Sequence, residues 1–385
     1  MMRIDHIRIG ETDNGHPVFI SKAAGNHHIS VTGMSGFGKT VWLTYLETWL
    51  ASKGATVIVL DYADTHSPER MSSPWKSDFE RLSQIVDINR DGIPFSLWLS
   101  SAFNENRHED SLAALDIVSN AAGLSPMQQA CLFHVLEHTD CHPAADSADE
   151  LDSLLTAAEE YAESCPANEM REIRRICSKI AFMAKSVKIV PKQILNPGKI
   201  SILKVNYGDR TGLAVCDMIL DLLWQDIRSR APGSTQDTFL ILDEYQHLDL
   251  IHNHAPLPNI LREGRRYGLS VILSTQTLSG LTAKENALIQ QAATKIHFRQ
   301  TKKDAFAMTK GLPDKERQPL ANTLTSLKVG QCCAEGIFAI DGMQRECMVP
   351  LVIRKRNRIQ IAGLPQQKNA PRPEIANAPT RCPEV

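Results

Sequence analysis

The sequence predicts an α/β fold built around a mainly parallel sheet, and three observations lead to this prediction. First, continuous apolar runs of β-type residues alternate with segments of helical periodicity, the pattern of strands that helices cover on both faces. Second, a glycine-rich turn joins the first of these runs to a helix. Third, one long stretch has only helical periodicity. The apolar runs that follow the glycine-rich turn lie at 55–62, 199–206, 237–248 and 269–276.

The chain starts with two short β-type runs on either side of Asp13-Asn14-Gly15. Asn-Gly between such runs favours a tight hairpin, because both residues tolerate a positive φ. We therefore expect residues 1–28 to form a small β hairpin or cap ahead of the first core strand.

A loop with the pattern G-x-x-x-x-G-K-T follows the first apolar run. Its glycines let the backbone curl until several N–H groups and a helix N-terminus face one point, where a polyphosphate binds. In this setting the Lys39 ammonium contacts the β- and γ-phosphates and the Thr40 hydroxyl binds Mg²⁺. The loop thus predicts a site for ATP and Mg²⁺. The predicted nucleotide-binding residues are Gly33, Ser35, Gly36, Phe37, Gly38, Lys39, Thr40 and Val41.

A helix predicted over 40–53 leads to the run at 55–62 and completes a β-α-β unit. Asp61 and Asp64 fall at the carboxyl end of this run, where ligands gather in parallel sheets. A role in capping the turn explains both carboxylates equally well.

Residues 102–190 have helical periodicity alone, and we predict an inserted helical subdomain of about four helices. Helix starts are indicated at Ser125-Pro126-x-Gln128 and at Ser147-x-x-Glu150. Residues 143–169 hold eight acidic residues and no Lys or Arg, whereas 171–199 hold eight Lys or Arg and one acid. The basic stretch is either a solvated face paired with its acidic neighbour or a surface that contacts nucleic-acid phosphates.

The pair Asp243-Glu244 ends the strand predicted within 237–248, at the same sheet edge as the glycine-rich loop. Hydrolysis of ATP needs one carboxylate to hold the metal ion through water and another to orient and deprotonate the attacking water. We assign Asp243, with Thr40, to Mg²⁺ and Glu244 to the water. The alternative for such a pair is a helix cap.

The segment EGRRYG at 263–268 precedes Gln276 by a few residues. A guanidinium neutralises the charge that grows on a γ-phosphate, and a neighbouring subunit often supplies it. Arg265 is predicted to act in this way, and the adjacent Arg266 could assist it. Gln276 is predicted to sense the γ-phosphate. The alternatives are a surface ion pair for the arginine and a loop cap for the glutamine.

Beyond residue 284, short helices give way to β-type runs at 331–340 and 347–353. We predict that 29–101 and 191–362 together form the ATPase core. Residues 363–385 contain five prolines and few apolar side chains, so a flexible tail is expected. The basic run at 354–358 is interpreted as a solvated strand end, with nucleic-acid or protein contact as the alternative.

Composition narrows the class of protein. The formal net charge is −2 over 385 residues, so contact with a nucleic acid must come from a local basic patch. The nine cysteines are scattered, and the first residues resemble neither a signal nor a transit peptide, so we expect reduced thiols in the cytoplasm. No apolar run reaches the roughly 18 residues that a membrane span needs, so no membrane contact is expected.

Four residues with metal-ligating side chains occur close together at Cys131, His134, His138 and Cys141. Ligands spread over three turns of one straight helix cannot converge on a tetrahedral ion. We interpret the four as the inner stripe of a core helix instead of a zinc site. Cys332-Cys333 are likewise expected to be small buried apolar residues.

The chain resembles the HerA–FtsK superfamily of ring-forming DNA-pumping ATPases in three segments, GMSGFGKT, FLILDEYQ and EGRRYGLSVILSTQ. This superfamily also includes conjugative coupling and secretion ATPases. The resemblance covers most of the chain and implies a RecA-like P-loop NTPase core. It also implies the roles assigned above to the P-loop, the acidic pair, a trans-acting Arg265 and Gln276. The β part before the loop is shorter than the HerA barrel, and neither a membrane segment nor a winged-helix-like extension is evident.

The expected function is hydrolysis of ATP coupled to DNA translocation or unwinding by a homo-oligomer, in a hexameric ring. The HerA likeness also suggests a separate nuclease or other effector as partner, in repair or in defence against foreign DNA. Three alternatives are a superfamily-1 or -2 helicase, an ATP-driven switch or assembly ATPase that acts on protein, and a slowly hydrolysing regulatory subunit that scaffolds an effector.

Overall fold

The computed structural model describes residues 4, 6–21, 25–71, 73–98, 107–139, 149–205, 210–230, 236–248, 255–279 and 281–352. The strands are Ile7–Glu11 (β1), Pro17–Ile20 (β2), Ile29–Thr32 (β3), Thr56–Asp61 (β4), Ser83–Asp87 (β5), Ile200–Lys204 (β6), Thr238–Leu242 (β7), Leu269–Thr275 (β8), Thr294–His297 (β9), Gln331–Ile340 (β10) and Met343–Val352 (β11). The helices are Lys39–Ser52 (α1), Lys76–Leu82 (α2), Ile88–Asp91 (α3), Arg107–Ala122 (α4), Pro126–His138 (α5), Glu150–Ser164 (α6), Ala167–Ala184 (α7), Arg210–Arg228 (α8), Leu257–Glu263 (α9), Ala283–Ile289 (α10), Lys302–Met308 (α11) and Asp314–Ser326 (α12). Short 3-10 helices lie at Pro68–Arg70, Tyr245–His247 and Gly264–Tyr267.

The described strands form one eleven-stranded sheet in the order β11-β1-β2-β10-β9-β3-β8-β7-β4-β6-β5. All neighbours from β9 to β5 are parallel, which confirms the predicted α/β class with a mainly parallel sheet. The remaining pairs are antiparallel. This parallel part places the carboxyl ends of β3, β7 and β8 along one sheet edge.

The hairpin predicted around Asn14-Gly15 forms between β1 and β2. Its position was not predicted: β2 pairs with β10 and β1 pairs with β11, while β10 and β11 pair with each other. The first and the last described strands therefore close a small four-stranded unit beside the parallel sheet. Joining these distant segments shields strand edges that would otherwise be unpaired.

Two apolar clusters cover the two faces of the sheet. In β4 all six residues are buried, and successive side chains point to opposite faces. Val57 and Val59 belong to the cluster that contains α1, whereas Ile58 and Leu60 belong to the cluster that contains α8, α9 and the helices α4 to α7. The continuous apolar run in the sequence therefore reflects burial on both faces.

Four helices, α4 to α7, lie within the range predicted as an insertion, and we propose that this range is a subdomain. Ser125 and Gln128 form the predicted capping box of α5. Ser147 lies outside the described residues, and α6 is capped by Asp149, whose side chain accepts from the Leu151 N–H at 3.1 Å. The α7 helix buries one apolar stripe and leaves its basic residues outside.

Strand β5 was not predicted from the sequence. It pairs in parallel with β6 at the end of the sheet and buries only Val86 among its five residues. An edge strand with so little burial has no continuous apolar run, so the pattern that identified most of the other parallel strands is missing here. The four-residue strand β9, which pairs in parallel with β3, was not predicted either.

The interpretation of the Cys131 stripe as an inner helix face is wrong for the histidines. Cys131 is buried, but His134 and His138 are exposed, and Cys141 lies outside the described residues. Cys332 and Cys333 are buried as predicted. The basic run at 354–358 and the tail at 363–385 also lie outside the described residues. Within the described part of the chain, no helix has the length and hydropathy to cross a membrane.

Candidate active site

The glycine-rich loop connects β3 to α1 at the carboxyl edge of the sheet. Gly33 has φ 146°, and a Cβ atom there would lie 2.6 Å from the Phe298 Cβ atom, so only glycine fits. Gly38, with φ 104°, precedes the first residue of α1. Positive φ at both ends of the loop turns its backbone toward the helix N-terminus, which is the geometry that binds a phosphate group.

Lys39 is 4% exposed and lies between the loop and the acidic pair. Its ammonium donates to the Gly33 carbonyl at 2.8 Å and lies 3.7 Å from Glu244 Oε1. Burial lowers the pKa of Lys39, while the carboxylates of Glu244 and Asp243 oppose this shift. The ammonium is thus held where the loop and the end of β7 meet.

The acidic pair follows β7, which is separated from β3 by β8. All five residues of β7 are buried, so the strand is fixed in the core and delivers Asp243 to the sheet edge. The Thr40 hydroxyl donates to Asp243 Oδ2 at 3.5 Å. The two residues that were assigned to Mg²⁺ from the sequence are therefore neighbours, although they are 203 positions apart.

Glu244 adopts a left-handed conformation, with φ 50° and ψ 40°. For a residue other than glycine this conformation costs about 1–2 kcal/mol, and such strain concentrates at functional sites. The Glu244 N–H donates to Asp243 Oδ1 at 3.0 Å, and the Tyr62 hydroxyl donates to the Glu244 carbonyl. These contacts hold the strained backbone in place.

The Glu244 carboxylate is held by two amides. Gln276 Nε2 donates to its Oε1 at 2.8 Å, and Gln246 Nε2 donates to its Oε2 at 2.7 Å. Gln276 follows β8, and the loop after it is tied down because Asp304 accepts from the Ser279 N–H at 2.8 Å. Gln276 therefore contacts the carboxylate directly, and Gln246 is a contact that sequence reasoning missed.

Arg265 lies in the 3-10 helix at Gly264–Tyr267, and its side chain is exposed, as is that of Arg266. This helix precedes β8, whereas Gln276 follows it. Seven strand residues span roughly 20 Å, so Arg265 and the acidic pair lie at opposite ends of the strand. The structure does not bring Arg265 to the site within one chain.

Sequence reasoning also missed His66 and Glu47. His66 is 0% exposed, and its Nδ1 is 3.2 Å from Glu47 Oε2, while its Nε2 is 3.5 Å from Asp243 Oδ2. Burial lowers the pKa of His66, but the two carboxylates outweigh it and raise this pKa well above its usual value. Burial opposes ionisation of Asp243, yet the contact with His66 lowers its pKa overall. The only sequence feature that pointed to His66 as a site residue was its position shortly after a predicted strand.

Asp61 and Asp64 are structural residues of the turn after β4, in agreement with the capping alternative. The Asp61 carboxylate accepts from the Thr65 N–H at 3.0 Å and from the His66 N–H at 3.1 Å. Asp64 forms ion pairs with Lys204 and Arg70, both at 2.8 Å.

The donor set suits Mg²⁺ and a nucleotide. Thr40 and Asp243 offer hydroxyl and carboxylate oxygens, the ligands that Mg²⁺ prefers. The glycines of the loop leave space in which backbone N–H groups can approach phosphate oxygens, and the buried Lys39 supplies a cation beside them.

Two models of known protein families match this chain. A family model described as "Helicase HerA, central domain" matches residues 7–220, more than half of the chain. A second model, described as "Type IV secretion-system coupling protein DNA-binding domain", matches residues 196–328. A search of curated proteins gave no significant match.

Solved structures share the fold over nearly the whole chain. VirB4 of Thermoanaerobacter pseudethanolicus has a TM-score of 0.60 at 16% identity, covering 92% of this chain and 98% of that chain. The unbound conjugative coupling protein TrwBdeltaN70 has a TM-score of 0.56 at 14% identity, covering 91% and 89%. TrwB in complex with ADP and Mg²⁺ has a TM-score of 0.52 at 17% identity, covering 90% of each chain.

The three structures establish the RecA-like fold, and the motifs at the sheet edge agree with it. Because the HerA model matches more than half of its length, the chain belongs to the HerA central-domain family, within the HerA–FtsK superfamily of P-loop ATPases.

Proposed function

We propose that this protein hydrolyses ATP, with Mg²⁺, to drive movement along DNA as a homo-oligomeric ring. The observation that supports this proposal most directly is the convergence of Lys39, Asp243 and Glu244 at one sheet edge, with the Glu244 carboxylate oriented by Gln276. The match to a coupling-protein DNA-binding domain supports DNA as the ligand. The relative TrwB, solved with ADP and Mg²⁺, supports the nucleotide and the metal ion.

The roles of the residues follow from their contacts. Bound Mg²⁺ would neutralise charge on the β- and γ-phosphates, held by Thr40 and, through water, by Asp243. Lys39 exchanges the Gly33 carbonyl for phosphate oxygens, since its ammonium already lies beside the loop. Glu244 accepts a proton from the attacking water, and Gln276 links this carboxylate to the γ-phosphate.

Arg265 is expected to act on the site of a neighbouring subunit, because it is exposed and lies at the far end of β8 from its own acidic pair. An Arg265→Ala variant should bind nucleotide and assemble normally, yet its kcat should fall by about 1000-fold or more. The measurement is phosphate release together with particle mass.

Mixing tests the trans arrangement directly. Lys39→Ala subunits keep Arg265, so adding them to Arg265→Ala subunits should restore part of the ATPase activity. Arg262→Ala is the matched control, since Arg262 is an exposed arginine three positions earlier and should be dispensable. The absence of rescue, with mixed rings verified by mass, would contradict a finger in trans.

The basic face formed by α7 and by Lys185, the residue that follows this helix, is proposed to contact DNA phosphates. Arg171, Arg174 and Lys185 are exposed, and within the described residues they form no ion pair. By contrast, Arg175 pairs with Glu172, and Lys179 donates to the Gly123 carbonyl at 2.7 Å. The first three side chains are therefore available to a ligand.

Changing Arg171, Arg174 and Lys185 to glutamate should weaken binding to duplex DNA. It should also reduce the slope of log K against log salt concentration by about 0.9 for each phosphate group that the variant no longer neutralises. Fluorescence anisotropy at several salt concentrations measures both. Arg171→Lys with Arg174→Lys keeps the charge and serves as control. An unchanged slope in the glutamate variant would favour the alternative interpretation, in which this face is exposed to solvent and binds no DNA.

The ring and its ligand can be tested in the unmodified protein. We expect a hexamer by particle mass in the presence of nucleotide, and stimulation of ATP hydrolysis by DNA at low salt. If neither duplex nor single-stranded DNA stimulates hydrolysis, the switch or assembly ATPase that acts on protein becomes the better function.

A nuclease or other effector partner, in repair or defence, remains part of the proposal. The seven described cysteines are free thiols, which suits the cytoplasmic location that we propose.

A further inference from the structure

The buried His66 lies next to Asp243, the carboxylate that is proposed to hold Mg²⁺, and has no part in the proposed mechanism. His66 and Glu47 are both 0% exposed. Each ring nitrogen of His66 faces a carboxylate: Nδ1 faces Glu47 and Nε2 faces Asp243. Burying two carboxylates around one imidazole is costly unless their geometry is fixed. The arrangement therefore calls for a functional explanation.

The three residues come from three separate elements that meet at the site. Glu47 is on α1, seven positions after Thr40, so two helical turns place both side chains on the same face. His66 is in the turn after β4, and its N–H is bound by Asp61. Asp243 ends β7. The imidazole thus links the helix that begins at the phosphate loop to the strand that bears the acidic pair.

We propose that Glu47 and His66 are positioning residues that hold the Asp243 carboxylate in the orientation needed for Mg²⁺. The proposal rests on the role of Asp243 proposed above. Glu47 orients the imidazole, the imidazole faces Asp243 Oδ2, and Asp243 Oδ2 in turn faces the Thr40 hydroxyl at 3.5 Å.

The contacts of Asp243 explain why its carboxylate needs to be held by His66. Its Oδ1 is bound by the Glu244 N–H at 3.0 Å, which leaves Oδ2 as the oxygen directed toward Thr40. Without His66, the carboxylate could rotate about its last bond and present Oδ2 elsewhere. His66 Nε2 has no hydrogen-bond partner within the described residues, and the 3.5 Å separation leaves room for the contact to shorten. Hydrogen bonds behind a ligating group commonly set metal affinity in this way.

The test uses the full-length protein and two variants of similar size, His66→Gln and Glu47→Gln. Both should raise the Mg²⁺ concentration that gives half-maximal ATP hydrolysis by about 10- to 100-fold, with kcat recovering as Mg²⁺ is increased. Electron paramagnetic resonance should show weaker Mn²⁺ binding to the ADP complex by the same factor. Binding of a fluorescent ADP analogue in EDTA should be unchanged, since the phosphate loop is untouched.

Two variants control for the loss of any buried polar group. His28→Gln removes a buried histidine that accepts from the Val271 N–H at 2.9 Å, away from the acidic pair. Glu150→Gln removes a buried glutamate that accepts from Ser96 Oγ at 2.7 Å. Both should leave the half-saturating Mg²⁺ concentration unchanged, whatever their effect on thermal stability. An equal shift in these controls would overturn the proposal.

The failure of this proposal can be told from the failure of the site itself. If Asp243→Asn weakens Mn²⁺ binding but folded His66→Gln and Glu47→Gln do not, the positioning role is wrong and the metal site stands. If Asp243→Asn has no effect, the metal site is wrong, and the positioning role falls with it. If both proposals hold, adding His66→Gln to Asp243→Asn should weaken Mn²⁺ binding no further, because the carboxylate to be positioned is already gone.

Discussion

Replacing Lys39 with alanine is expected to abolish ATP hydrolysis, lowering kcat by at least about 100- to 1000-fold. The side chain is buried, and its ammonium lies 2.8 Å from the Gly33 carbonyl and 3.7 Å from the Glu244 carboxylate. Its loss removes the ammonium that is proposed to neutralise charge developing on the γ-phosphate. Phosphate release at saturating ATP measures the loss of activity, and nucleotide titration should show weaker binding as well.

Lys199→Ala is the matched control for this variant. Its ammonium also donates to a backbone carbonyl, that of Arg81 at 3.3 Å, but it precedes β6 at the opposite edge of the sheet. It should retain normal turnover. Normal turnover by Lys39→Ala instead would mean that the glycine-rich loop is not the catalytic nucleotide site.

Glu244→Gln is expected to bind ATP but to hydrolyse it about 100- to 10,000-fold more slowly, because an amide cannot accept the proton of the attacking water. Size and shape change little, so the left-handed backbone at this position and the contact with Gln276 can persist. Filter binding with labelled ATP should recover intact triphosphate on the variant, whereas the unmodified protein converts it to ADP.

Glu335→Gln provides the comparison for the loss of a glutamate charge elsewhere. Its carboxylate accepts from Lys295 at 3.0 Å on the antiparallel side of the sheet, far along the strand order from β7. It should hydrolyse ATP at the normal rate. Full activity in Glu244→Gln would return the acidic pair to its alternative role as a helix cap.

Most of the parallel strands and the phosphate loop could be predicted from the sequence because their signals are local. Burial on both faces leaves a continuous apolar run, as in β4, and a phosphate loop needs glycines at fixed spacing before Lys39. Asp243 and Glu244 could be selected as candidates for the same reason, since an acidic pair directly after an apolar strand can be recognised without knowledge of the fold. β5 was not predicted because an edge strand needs no apolar run, and β9 was not predicted because its four residues, TKIH, form no such run.

Other features depend on groups that folding brings together from distant parts of the chain. Glu47 and His66 occur in local patterns that give no signal of a site, and the contacts behind their proposed role form only where α1, the turn after β4 and the end of β7 meet. The same holds for the pairing of β1 with β11 and for the separation of Arg265 from its own acidic pair. Spacing along a chain records helix turns, strand alternation and tight loops, because these depend on neighbouring residues. Which turn lies behind which strand depends on how the whole core packs, and no short stretch of sequence specifies that.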